Sequence, residues 1–379
     1  MRGILLFFCI LSSVLHAQDV SDPIVHSIFF IGDTGNDTIP SEALFLLSFE
    51  AGTQTNRSIV FLGDNVYPSG NSASDGASAH RERRIMESQL ELFSPFRGSV
   101  FVVPGNHDWS RGKADGAAAV LRQQHIVNDF TRSNSVNSNA GQTYFPGNAQ
   151  SGPVQVQPHP AVRLIFLDTQ WWLQGNGRRR IPGSSGLSRR EQEANCLARL
   201  DSMLSRAQED DALCIVIGHH PVFTNGQHSH RREPLRFLLN YTPLALFRLL
   251  GTDRFMGQDI DQPRYRRFRN QLREVFAHYS PMVYVAGHDH NLQVMRDLGN
   301  YYVVSGAGSK QHTIDRYRFP ARFMEDQQSG FFRMDLHASG NVRIAAYGVR
   351  NRGVFWDSWM FQKAIPEMPA DTLQAPNIR

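Results

Sequence analysis

The sequence predicts an α/β fold, and three observations carry that reading. Short apolar runs rich in Val, Ile and Phe recur along the chain, as in strands buried on both faces. Helix-period stretches separate several of them, and such alternation argues for a layered α/β domain rather than an all-β one. Five of the runs end in Asp, Asn, Tyr or His. In open α/β sheets, functional groups collect beyond the carboxyl ends of strands.

The elements follow in chain order. Val25–Ile31 leads into Gly32-Asp33, and a helical pattern over Ser41–Phe49 follows Pro40. Ser58–Leu62 runs into Gly63-Asp64-Asn65-Val66-Tyr67, ahead of a helix over Ala79–Phe93. Val100–Val103 leads to Gly105-Asn106-His107-Asp108 and a helix over Ala114–Phe130. Ser- and Asn-rich stretches at Ser69–Ser78 and Ser133–Ser151 read as linkers. Val162–Leu167 is a strand, and the Gly175–Ser185 loop with Arg178, Arg179 and Arg180 reads as a solvated basic loop, the alternative being a loop that borders the site and attracts phosphate. Ser188–Ala207 is helical, and Leu213–Ile217 ends in Gly218-His219-His220. Thr224–Pro263 is a long insertion beside that motif, in the position of a lid. Tyr265–His278 is a helix, Met282–Ala286 leads to Gly287-His288-Asp289-His290, and Tyr301–Ser305 is a strand. Phe331–Asp335 and Val342–Tyr347 flank Gly340-Asn341 and read as an antiparallel hairpin.

The chain has 379 residues, 41% of them hydrophobic, which is ample for one large core. A net charge of +4 suits an anionic substrate without forming the basic footprint of a nucleic-acid binder, so no nucleic-acid partner is expected. Residues 1–17 read as an export signal: Arg2, an apolar run over Ile4–Leu15 too short to span a bilayer, and Ala17 for cleavage. The mature protein is therefore expected to be soluble, without a stable membrane span, and periplasmic or secreted. Residues 18–379 read as a single domain with its core at about 25–350 and an insertion at about 229–263. Cys196 and Cys214 remain after signal removal; sequence leaves open a bond between them or two buried thiols. Oligomeric state is not legible.

Seven of the 15 histidines (His107, His219, His220, His228, His230, His288 and His290) sit in or beside these blocks. That concentration points to a metal centre. His288 and His290 are two residues apart, so in extended backbone they share a side and can address adjacent cations.

In order, GDTG, GDNVY, GNHD, GHHP and GHDHNLQ resemble the signature of calcineurin-like metallophosphoesterases. Tyr67 makes the resemblance closest to the purple, tartrate-resistant acid phosphatase branch. So do GHHPVFTNGQH, with its second histidine nine residues after His219, and YYVVSGAGSK. LDTQWWL is similar to exported bacterial members. The resemblance runs from about Ile28 to Lys310. It implies an α/β/β/α sandwich, two packed mixed sheets flanked by helices. It also implies two metal ions: Asp33, Tyr67 and His290 on one, Asn106, His219 and His288 on the other, with Asp64 bridging. A carboxylate and a phenolate favour Fe(III); the neutral set suits divalent Fe, Zn or Mn. Asn106, His107 and His228 would contact substrate, with His107 touching phosphate and His228 protonating the leaving group. Thr34 and His220 depart from the branch, which often carries Trp and Tyr there.

The expected activity is hydrolysis of phosphomonoesters on a small phosphorylated substrate, by in-line attack of a hydroxide generated at the two-metal centre. A phosphodiesterase or nucleotide pyrophosphatase of the same fold is the alternative. A Ser/Thr protein phosphatase fits less well, because Tyr67-Pro68 stands where that group continues Asp-Arg-Gly. A non-enzymatic, metal-stabilised interaction protein is the remote reading.

Overall fold

The alternation of side chains along β1 (Ile24–Ile31) sets the architecture. Ile28 and Phe30 belong to one buried cluster that contains no helix residue, while Phe29 and Ile31 belong to another that includes the helices. A strand places successive residues on opposite faces, so β1 faces a second sheet on one side and helices on the other. The computed structural model describes residues 22–73, 75–94, 98–134, 142–174, 186–229, 260–314 and 318–362. The expected signal segment, the Arg178–Arg180 loop and all but the ends of the 229–263 insertion lie outside the described residues.

The first sheet has six strands in the order β13-β12-β11-β1-β2-β3. β1, β2 (Arg57–Phe61) and β3 (Ser99–Val102) run parallel, with Ile31 opposite Phe61 and Val60 opposite Phe101. β11 (Gly330–His337), β12 (Val342–Gly348) and β13 (Gly353–Phe361) continue antiparallel. The second sheet has seven strands in the order β10-β8-β9-β7-β6-β5-β4. Its parallel centre is β5 (Val162–Phe166), β6 (Leu213–Ile217), β7 (Met282–Ala286) and β9 (Asn300–Ser305). β4 (Val154–His159), β8 (Leu292–Asp297) and β10 (Ala321–Glu325) join antiparallel. Both sheets are mixed, and the α/β sandwich expected from the sequence is the one present.

Between the sheets, Phe30, Val60 and Phe101 meet Phe166, Ile217, Val285 and Val303, all buried. Burying such a side chain contributes roughly 1.5–3 kcal/mol, so this layer is the main source of rigidity behind the strand ends. Helices α1 (Glu42–Gly52), α2 (Ala77–Glu91) and α3 (Gly116–Ser133) cover the first sheet. The second is covered by α4 (Thr169–Leu173), α5 (Arg189–Glu209) and α6 (Pro263–Phe276). Ser41 caps α1 by accepting from the Leu44 N–H, and Ser188 with Glu191 forms a capping box on α5. No helix among the described residues is long and apolar enough to cross a membrane.

Cys196 on α5 and Cys214 on β6 are buried free thiols, which resolves the open alternative against a disulfide. Burial pushes both thiols up to about 12.

Candidate metal centre

Five parallel strands deliver the seven expected ligands to one edge of the sandwich. Asp33 follows β1, Asp64 and Tyr67 follow β2, Asn106 follows β3, His219 follows β6, and His288 and His290 follow β7. All seven are buried, from 0% exposed at Asp33 to 8% at His290. Three of them, Asp33, Asp64 and His288, sit at positive φ (61°, 54° and 71°). That backbone region is sparsely populated outside glycine and clusters at functional sites. Gly63 and Gly105 allow the turns to close: a Cβ on Gly63 would lie 2.7 Å from the Gly105 nitrogen, and one on Gly105 would lie 2.2 Å from Asp64 Oδ1.

The first donor set is Asp33, Tyr67 and His290. The Tyr67 hydroxyl is 3.1 Å from Asp33 Oδ1 and 3.1 Å from His290 Nε2, and His290 Nε2 is 3.3 Å from Asp33 Oδ1. Asp33 Oδ2 accepts from the His288 N–H at 2.8 Å, which points Oδ1 inward. Burial, then the negative charges of Asp33 and Asp64, hold the Tyr67 phenol well above its ordinary range. Burial likewise raises the Asp33 carboxyl, to about 8. Apolar surroundings push these groups toward their neutral forms; a cation among them reverses that preference.

The second set is Asn106, His219 and His288. His219 Nε2 lies 3.0 Å from Asn106 Oδ1, and His288 Nδ1 lies 3.1 Å from Asn106 Oδ1 and 3.3 Å from His219 Nε2. His219 Nδ1 donates to the Leu62 carbonyl at 2.8 Å, so in the neutral ring Nε2 carries a bare lone pair. That lone pair faces a carbonyl oxygen that can only accept. Two acceptors at hydrogen-bond distance with no proton between them is the arrangement a cation satisfies. The residues therefore fit the metal pair that the family implies. Burial, with His228, His220 and His219 around it, keeps the His288 ring neutral, the form that ligates.

Asp64 lies between the two sets. Its Oδ1 is 3.5 Å from His219 Nε2, and one of its oxygens lies within 4.8 Å of an Asp33 oxygen. Burial alone would raise its carboxyl, but His107, His219 and the His107 backbone N–H outweigh burial and hold it low. The cluster Asp33, Asp64 and His219 brings one atom from each within 4.8 Å of the others.

His107 and His228, expected outside the ligand shell, flank it. His107 Nδ1 is 2.7 Å from the Pro68 carbonyl, its ring stands edge-on to Tyr67, and its Nε2 is 3.7 Å from Asp64 Oδ2. His228 stacks on His288 with ring centroids 4.3 Å apart, and its N–H donates to Asp289 Oδ1 at 3.2 Å. Both are half-buried.

Several supporting residues were not assigned from the sequence. Asp108 accepts from the N–H groups of Gly105, Asn65 and Val66 and from Gln123, fastening the β2 and β3 turns together. Thr224 donates to Asp289, and Gln293 bonds Thr224 and Asn225, fastening the turns after β6 and β7. His312 stacks on His290 at 4.4 Å, and Lys310 lies over Tyr67. Asp108 and Asp289 lie inside recognised blocks, which was the available signal. Lys310 closes the YYVVSGAGSK match but had no role assigned, and His312 lies beyond the last of those blocks. His220 accepts no metal role from the sequence; the Thr169 hydroxyl lies 2.8 Å from its Nδ1, and its ring sits beside His219 and His288.

The calcineurin-like phosphoesterase family model matches residues 26–292. Tartrate-resistant acid phosphatase type 5 of Homo sapiens is 32% identical over 297 residues, covering 73% of this chain and 71% of that protein. The Rattus norvegicus counterpart is 29% identical over 330 residues, covering 82% and 79%. Among solved structures, purple acid phosphatase PPD1 from yellow lupin seeds aligns with a TM-score of 0.51 at 11% identity, covering 94% of this chain and 58% of that one. GAP50, the anchor in the inner membrane complex of Plasmodium, aligns at 0.52 and 17%, covering 88% and 87%. At those identities the two structures speak for the fold alone.

Proposed function

The chain belongs to the calcineurin-like phosphoesterase family, in its purple and tartrate-resistant acid phosphatase branch, and is a metal-dependent phosphoester hydrolase; from that premise we propose an exported binuclear phosphatase that hydrolyses phosphomonoesters. The observation that carries the binuclear reading is Asp64, one carboxylate lying between two donor sets of different chemistry. Asp33 and Tyr67 are hard anionic donors that suit Fe(III), with His290 completing the set. Asn106, His219 and His288 are neutral and suit a divalent Fe, Zn or Mn. When bound, the cations supply Lewis acidity to phosphate oxygens and a water acidic enough to act at neutral pH.

The chain's own residues do the rest. The ligands are buried, while His107, His228, Lys310 and His312 beside them are half-buried. A phosphoryl group enters past those four, and the strand-end turns behind it exclude bulk water. His107, held by the Pro68 carbonyl, contacts the phosphate through Nε2. His228, braced by Asp289 and His288, delivers a proton from its imidazole to the departing alkoxide. Export by removal of residues 1–17, and a single domain over residues 18–379, belong to the same proposal.

Turnover of an aryl phosphomonoester, a phosphodiester and a nucleotide by one preparation tests it. Monoester preference, lost in Asp64→Asn and His219→Ala variants that keep the native circular dichroism, supports the reading. Preferential cleavage of the diester overturns the monoester assignment. A mature chain beginning near residue 18 and recovered outside the cytoplasm supports export, and an unprocessed chain retained inside refutes it.

A further inference from the structure

The turn after β9 places a lysine on the face of an expected metal ligand. Gly308 donates its N–H to the Gly32 carbonyl at 3.1 Å, and the Ser309 hydroxyl donates to the Asp33 carbonyl at 2.5 Å. A Cβ on Gly308 would lie 2.3 Å from the Gly32 oxygen, so only glycine permits this approach. The turn is thereby fastened to the end of β1, and the next residue, Lys310, extends over Tyr67. Its Nζ is 3.7 Å from the centroid of the Tyr67 ring. Among the described residues Lys310 makes no salt bridge; its close contact is the ring, and the Asp64 and Asp33 carboxylates act on its charge.

An ammonium group over an aromatic face is attracted by the ring's electron density, and the attraction grows as water is removed. A phenolate is richer in electrons than a phenol, so the same geometry binds the ionised ring more strongly. Iron(III)-phenolate absorption moves an electron from the ring to the metal. A cation over the ring holds that electron more tightly and raises the energy of the transition. We propose that Lys310 is a tuning residue for Tyr67, setting the energy of the absorption band when iron is bound. This rests on the Fe(III) reading of the Asp33, Tyr67 and His290 set given above.

The experiment compares the visible spectrum and bound iron of the iron-loaded wild type with Lys310→Met, Lys310→Gln and Lys310→Arg. The neutral variants should move the band to longer wavelength by on the order of ten nanometres at unchanged iron content, and Lys310→Arg should restore it. Two neutral side chains are used so that a folding defect in one leaves the other to decide. A band unmoved in both, at equal iron, overturns the tuning role while leaving the ferric reading in place. Absence of any visible band in the iron-loaded wild type overturns the ferric reading and the tuning role together. A shift reproduced by Lys310→Arg overturns the role of charge, because packing alone would then account for it.

Discussion

The imidazole of His228 lies flat on that of His288, ring planes 25° apart and centroids 4.3 Å apart. A proposed proton carrier thus leans on a proposed metal ligand, and the Asp289 carboxylate between His288 and His290 holds its backbone. The consequence depends on the leaving group. His228→Asn should lower kcat about 10²–10⁴-fold for alkyl phosphates, whose alkoxide needs a proton, and much less for an activated aryl phosphate. Equal losses on both substrates would remove His228 from the role of general acid.

Asp108 should govern stability rather than chemistry. Its buried carboxylate gathers three backbone N–H groups and the Gln123 amide. Asp108→Ala strands those donors without water and should cost about 3–5 kcal/mol, read from the urea midpoint at constant m-value. A change below about 1 kcal/mol would mean that the β2 and β3 turns are held by other contacts.

The two cysteines should be inert in the native state. Burial raises both thiols to about 12 and leaves little thiolate to react. Titration with a thiol reagent should find neither group before denaturation and both after it. A reductant should leave the melting temperature unchanged. Two thiols missing after denaturation without reductant would reveal a bond.

His26 should make the fold acid-sensitive. It is buried on β1, hydrogen-bonded to the Ser58 hydroxyl at 3.0 Å and faced by the His159 ring at 5.6 Å. Burial, then the charge of His159, lowers its pKa from 6.5 to about 4. As pH falls from 6.5 the unfolded chain takes up this proton, while the folded chain does not until about 4. Stability therefore declines across that window, by up to about 3 kcal/mol, and is unaffected above it. His26→Gln should flatten the decline in a urea series at pH 7, 5.5 and 4.5. An unchanged slope would place the acid sensitivity elsewhere.

The site was legible because its expected ligands come in short motifs, each at the end of an apolar run. Gly63–Tyr67 and Gly287–Gln293 can be read without knowing what they pack against. The ties between motifs were not legible, since Thr224 meets Asp289 across 65 residues and Asn65 meets Asp108 across 43. The strands left unread have their own reasons. β4 contains Pro158 and alternates half-buried with exposed positions, and β13 is an edge strand with one buried residue. Neither shows the continuous apolar run of a central strand. β8 begins only two residues after His290, so its first residues were absorbed into the ligand motif. The Tyr67–Lys310 approach joins β2 to the turn after β9 and could come only from the fold.

Metal stoichiometry tests the central claim most directly. The purified wild type and Asp64→Asn are analysed for iron, zinc and manganese per chain, before and after exhaustive chelation. About two transition ions per wild-type chain are expected, with fewer in Asp64→Asn and activity lost on chelation. A chain free of transition metal that hydrolyses phosphoesters undisturbed by chelator would contradict the account.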